Sequence, residues 1–185
     1  MTSLRLIKIS KITALVSFLC GTLIFLLYYL TSDSEILFLG YGYILLIGLL
    51  NFGLLISLII RLISEKENRR QVIITLGLLL SNIPIMIIYC WISFLLLGFI
   101  RVNFKNATGQ KLTNVKIIGC EPKVIDNLNP DNNKTVWIGI TGDCSINLEY
   151  ELNGQKKTES VVGYVTGGMG QKLEYYIGGK NNNAF

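Results

Sequence analysis

Cys120 and Cys144 are the two residues of this chain whose type and spacing offer a defined reaction, the oxidation of two thiols to a disulfide. The bridge would close a loop of about 25 residues and stabilise the folded state by about 3 kcal/mol. Other chemistry is poorly provided for. The sequence contains no His, which removes the commonest general base and the commonest zinc ligand. No metal or cofactor site is expected from two cysteines without histidine. The carboxylates Asp126, Asp131, Asp143, Glu149 and Glu151 fall at turns or alternate outward along a strand, so they read as solvated surface. "GGMG" at 167–170 lacks the following helix and the Gly-Lys-Ser/Thr of a phosphate-binding loop, and reads as a turn. Asn106-Ala-Thr and Asn133-Lys-Thr match the glycosylation pattern, which is common by chance. These residues point away from an enzyme.

The elements that carry them divide the chain into two halves. Hydrophobic residues make up 51% and charged residues 16%, and mean hydropathy is +0.50. That is too apolar for an ordinary soluble domain. Residues 1–100 hold seven Lys/Arg and four Asp/Glu, whereas residues 101–185 hold ten and eight. The second half is therefore ordinary in charge, and its lysines are scattered without a basic run, which argues against nucleic acid as a partner. Three Ala and three Pro beside abundant Ile, Asn and Lys suggest an AT-rich, bacterial coding sequence.

Three uncharged apolar runs predict transmembrane helices over about 12–30, 36–60 and 72–98. Each reaches the roughly 20 residues needed to cross the hydrocarbon core. The first is too long for a signal peptide and lacks a small-x-small cleavage site, so it reads as an anchor. Arg5, Lys8 and Lys11 precede the first run, and Arg61, Lys66, Arg69 and Arg70 separate the second from the third, while "TSDSE" has no cation. Basic loops remain in the cytoplasm. The expected topology is a multi-pass protein of the cytoplasmic (inner) membrane, its N-terminus inside and residues 101–179 periplasmic or extracellular. Three pairs of small residues, Ser17 with Gly21, Gly53 with Ser57 and Gly77 with Ser81, are spaced to let helix backbones approach, within one bundle or between copies in a homo-oligomer. Asn51 and Asn82 are the strongest polar groups inside the runs and suit hydrogen bonds across helices. No charge lies inside a run, which disfavours pumps and ion-coupled transporters.

From Ile100 the period becomes two, with Ile100, Val102 and Phe104 on one face and Arg101, Asn103 and Lys105 on the other. Strands are expected from Ile100, then over 112–119, 124–128, 135–140, from Cys144 to Tyr150, up to about Val165, and over 173–177. Turn clusters separate them, of which Asn153-Gly154 is the strongest hairpin signal. Seven short strands with turns every 8–12 residues predict an extracytoplasmic antiparallel β-sandwich over 101–179, followed by a disordered tail at 180–185. An exported compartment permits the Cys120–Cys144 bridge. Cys20 and Cys90 fall in the apolar runs.

The stretch "VNFKNATGQKLTNVKIIGCE", with "GDCSINLEY", "NGQ" and "GYVTGGMGQ", resembles small immunoglobulin-like sandwich domains of uncharacterised bacterial envelope proteins. The resemblance covers residues 101–178 and implies a fold without an active site. The expected function is display of this domain for binding another protein, as an accessory subunit of an envelope complex or as an immunity protein against a toxin. The contact is expected at a loop end formed by "NPDNN" with "TGD", that is Asp131, Asn132 and Asn133 with Asp143, or at an edge strand. The alternative is a subunit of an oligomeric channel or transporter.

Overall fold

A computed structural model describes residues 3–64 and 68–181. The chain divides into two compact units, residues 1–93 and 94–185.

The first unit is helical: α1 spans Ser3–Thr31, α2 Ser34–Ser64 and α3 Arg69–Leu96, whose last residues belong to the second unit. All three are long and apolar enough to cross a membrane. They outrun the apolar stretches because the flanking polar residues continue or cap them. Ser32 ends α1 with φ 55°, and Asp33 Oδ1 accepts the Glu35 amide at 2.8 Å, a cap that starts α2. Several hydroxyls within the helices are satisfied locally. Ser17, Thr22 and Thr75 each donate to the carbonyl four residues back, which removes a bare polar group from an apolar setting. Leu6, Ile7, Ala14, Leu58, Val72 and Leu79 form a buried cluster that draws on all three helices.

Among the described residues, the second unit contains seven strands: β1 Phe99–Asn106, β2 Leu112–Gly119, β3 Lys123–Leu128, β4 Asn133–Gly139, β5 Cys144–Leu152, β6 Gln155–Val165 and β7 Lys172–Ile177. The period-two residues occupy these strands nearly as expected, but β1 starts at Phe99 and Ile100 is fully buried. The all-β unit therefore begins ahead of residue 101. Asn153 and Gly154 have φ 54° and 73°, the positive values required of a type I′ turn between β5 and β6.

The strands form two sheets, β4-β1-β7 and β3-β2-β5-β6. Their inward residues meet in one hydrophobic core that includes Phe104, Ile117, Ile125, Ile138, Leu148 and Ile177. Two features differ from expectation. The pairing is not wholly antiparallel, because β1 and β7 run parallel. The reason lies in the 166–171 connection, which starts β7 at the rim where β6 ends; β7 then has to run in the direction of β1. The strand order also departs from the immunoglobulin arrangement, which groups the first, second, fifth and fourth strands in one sheet. Here the first strand lies between the fourth and the last.

Two rims follow from this topology. The proximal rim, where β1 begins just after α3, carries the connections 120–122, 140–143 and 166–171. The distal rim, where β1 ends, carries 107–111, 129–132 and 153–154, with residues 178–181. Of the tail, Lys180 and Asn181 are described. Asn181 binds Tyr176 twice, accepting its amide at 2.7 Å and donating to its carbonyl at 3.0 Å. The remainder of the expected disordered tail lies outside the described residues.

Candidate binding surface

Asn106 closes β1 and is fully buried. Its Nδ2 donates to the carbonyls of Gln110 at 2.7 Å and Leu128 at 2.9 Å. Its Oδ1 accepts the amide of Thr108 at 3.0 Å and the Thr108 hydroxyl at 2.7 Å. The Asn106 main chain also pairs with Asn132 and Asp131, at 3.0 Å each. One side chain and its peptide groups thus brace two distal connections from beneath. The sequence pattern marks Asn106 as a glycosylation acceptor, yet the nitrogen a glycan would need is buried and twice bonded. The available signal was the Asn-x-Thr-Gly run directly after a strand, a turn-forming combination. Replacing Asn106 with Ala should destabilise the β unit by about 2 kcal/mol, because the buried Leu128 carbonyl loses its donor and the 107–111 connection loses the hydrogen bonds that join Gln110 and Thr108 to this side chain. Chemical denaturation of the full chain in detergent, followed by tryptophan emission, measures this; a change below about 0.5 kcal/mol would refute the bracing role.

Asp131, Asn132 and Asn133 are exposed on this braced rim, with Asp131 at φ 59°. Asp143 is exposed too, but it follows β4 whereas Asp131 precedes it. The seven residues of β4 separate the two aspartates by about 23 Å. The expected single loop end of "NPDNN" with "TGD" is therefore corrected. Alternation along a strand gives its facing, but strand direction decides the rim at which each loop falls.

Cys120 and Cys144 are joined, with Cα atoms 5.2 Å apart. The bridge ties the end of β2 to the start of β5 at the proximal rim. Next to it, Gly119 adopts φ 122°, and a Cβ there would stand 1.7 Å from the Ser145 carbonyl oxygen. The pairing of β5 with β6 shifts register at this same point. Only a residue without a side chain lets the two backbones approach closely enough at this bulge.

Two further carboxylates link the sheets. Glu159 on β6 accepts the hydroxyls of Tyr150 on β5 at 2.5 Å and Tyr175 on β7 at 2.9 Å. Both phenols are held well above their ordinary pKa, first by burial, then by the hydrogen bond to Glu159, then by its charge. Glu121 accepts the Gly139 amide at 2.8 Å and pairs with Lys123 at 2.5 Å. The Lys123 hydrogen bond, followed by that of Gly139, lowers the Glu121 pKa. Glu159 was legible in principle, since it pairs with buried Leu148 at a core-facing position where an apolar residue is the rule.

In the helical unit, Asn51 and Asn82 both reach α1. Asn51 Nδ2 donates to the Ser17 hydroxyl at 3.1 Å, and Asn82 Nδ2 to the Ala14 carbonyl at 3.0 Å, one turn away. Tyr43 donates to the Ser17 carbonyl at 3.1 Å. The Thr22 and Tyr89 hydroxyls lie 3.0 Å apart, and the Tyr89 ring stacks on Phe25 with centroids 4.3 Å apart. Ser17, Phe25, Tyr43, Asn51, Asn82 and Tyr89 border a largely apolar cleft of about 260 Å³.

Of the three small-residue pairs, one lies in a helix contact. Ser17 is buried and bonded to Asn51, and Gly21 packs on Tyr43, 3.6 Å from where a Cβ would stand. The expected packing role of the other two pairs within the bundle is corrected. Gly53 and Gly77 are exposed, and a Cβ on either would meet nothing within 4 Å. Ser57 is half-buried, and its hydroxyl turns back along α2 to donate to the Gly53 carbonyl at 2.8 Å. Ser81 is exposed, and its hydroxyl donates to the Leu78 carbonyl of α3, also at 2.8 Å. Ser17, Ser57 and Ser81 all donate within their own helices, and of the three it is Ser17 whose oxygen also accepts from a neighbouring helix. Spacing alone cannot tell which face of a uniformly apolar helix turns inward.

Comparison with protein-family models, with curated proteins and with solved structures finds no match to this chain.

Proposed function

We propose that the protein is a non-enzymatic, multi-pass membrane protein that presents its β unit outside the cytoplasm as a sandwich domain for binding another protein. The observation that carries this reading is the braced distal rim. Asn106 holds two loops from below while Asp131, Asn132 and Asn133 stay exposed. Loops held in place before binding lose less entropy when a partner docks. The disulfide supports an oxidising compartment, and the basic segments flanking the helices support a cytoplasmic N-terminus. Within this reading the roles that fit are an accessory subunit of an envelope complex and a toxin-immunity protein, both in a bacterial inner membrane.

Location and binding are tested separately. In a chain lacking Cys20 and Cys90, a membrane-impermeant thiol reagent applied to outer-permeabilised cells should label Asn132→Cys and leave Arg70→Cys unlabelled. The reverse pattern would place the β unit inside. For binding, charge reversal at Asp131 should lower capture of the partner by the full-length protein several-fold, whereas Asp143→Lys should leave it unchanged. Equal effects would remove the distal rim from consideration.

The open faces at Gly53 and Gly77, with Ser57 and Ser81 beside them, favour a second reading, a subunit of an oligomeric channel. Mass determination in mild detergent separates the two, because three uncharged helices of a monomer cannot enclose a pore.

A further inference from the structure

Four large apolar or aromatic side chains are exposed among the described residues of the β unit beyond Gly98: Val124, Trp137, Tyr164 and Met169. All four belong to the proximal half of the unit. Val124 is the second residue of β3, which starts at that rim, and Tyr164 is the penultimate residue of β6, which ends there. Trp137 lies two residues before the end of β4, opposite Arg101 near the start of β1. Met169 projects from the 166–171 connection. The distal connections expose instead Gln110, Lys111, Asp131, Asn132 and Asn153, with no large apolar side chain among them. The four are spread over both sheets but share one end of the unit, so they ring the proximal rim, an arrangement that suits a broad apolar surface such as a bilayer.

The same unit includes the end of α3. Phe94 and Leu95 are exposed on its last turn. The Gly170 amide donates to the Leu97 carbonyl at 3.0 Å, and a Cβ at Gly170 would stand 2.1 Å from the Leu96 carbonyl oxygen. Main-chain contact thus fastens the loop that carries Met169 to the point where the helix ends. The Arg101 amide, bonded to the Gln171 carbonyl at 2.8 Å, fastens it a second time. That loop, "TGGMGQ", is uncharged. The Arg101 guanidinium lies 5.2 Å from the centre of the Trp137 ring, and Phe99 meets the same ring edge-on. Arg101 is buried and supports the ring from within, whereas exposed Trp137 and Tyr164, near the exit of an apolar helix, are the residue types that gather at the headgroup level.

We propose that the proximal rim of the β unit lies in the headgroup layer of the bilayer, with Trp137, Met169, Tyr164 and Val124 as its lipid-contacting side chains. This rests on α3 spanning the membrane. It deepens the functional reading, since a rim seated on lipid leaves Asp143 unavailable and directs a protein partner to the distal rim.

The experiment uses the full chain in vesicles of phosphatidylcholine and phosphatidylglycerol, with quenchers at two depths. The two tryptophans of the sequence are Trp91 and Trp137. In the Trp91→Phe variant, a nitroxide on the lipid headgroup should lower Trp137 emission about two-fold, as befits the interfacial layer. In Trp137→Phe, lipids brominated on the acyl chain should quench Trp91. A third variant, lacking both and carrying Lys111→Trp on the distal rim, should respond to aqueous iodide and not to either lipid quencher. Quenching of Trp91 without quenching of Trp137 overturns the proposal and leaves the membrane reading standing. Equal headgroup quenching of Trp137 and Lys111→Trp also overturns it, since the unit would then lie on its side. Failure to quench Trp91 by any lipid removes the membrane reading and the proposal together. Near-ultraviolet circular dichroism of each variant confirms that the β unit is folded before quenching is read.

Discussion

Replacing Cys120 and Cys144 together with Ala should lower the stability of the β unit by about 3 kcal/mol. The bridge closes a 24-residue sequence separation at the rim where β2 and β5 meet. Without it the unfolded chain regains the freedom that the covalent loop removes. A unit of this size has only about 5–10 kcal/mol in total, so the change is a large fraction of the whole. It corresponds to roughly 15 °C in melting temperature at 4–8 °C per kcal/mol. Scanning calorimetry of the detergent-solubilised full chain should show the β transition move by that amount. The same shift should appear when the unsubstituted protein is reduced. A displacement under about 2 °C would mean that the bridge constrains little that the core does not already hold.

Gly119→Val should cost more, about 4 kcal/mol or above, the range reached when a backbone is forced out of a special conformation. Two penalties add here. A β-branched residue is strained at φ 122°, and its Cβ would fall 1.7 Å from the Ser145 carbonyl oxygen. Relief requires β2 and β5 to part at the bulge, and that separation also carries Cys120 away from Cys144. The variant is therefore expected to lose disulfide as well as stability. Thiol titration under denaturing conditions should find about two more reactive thiols per chain than in the unsubstituted protein, which keeps Cys20 and Cys90 free. Gly142→Val in the neighbouring turn, where a Cβ meets nothing within 4 Å, is the matched control and should change little. A fully oxidised, undiminished Gly119→Val protein would show that the close approach at Ser145 is dispensable.

What the chain determined by itself was local. Uncharged runs about as long as the hydrocarbon core is thick, or longer, mark α1, α2 and α3, because helix length scales directly with residue number. Period two marks β1 to β7, because a strand facing a core on one side must alternate. Asn153-Gly154 forms the β5–β6 turn because its positive φ values belong to those residue types. Cys120 and Cys144 are joined in the unit where the expected compartment permits it. Tertiary structure decided which elements are neighbours and which way they run, since that choice depends on a core shared among residues far apart in the sequence. It set β1 parallel to β7 and between β4 and β7. It sent Asp131 and Asp143 to opposite rims and turned Asn106 inward under the loop that bears Asp131. It left Gly53 and Gly77 facing outward, and Ser57 and Ser81 bonded within their own helices, while Ser17 met Asn51 and Gly21 met Tyr43. On a helix apolar all round any face can be buried, and only the partner's side chains select one.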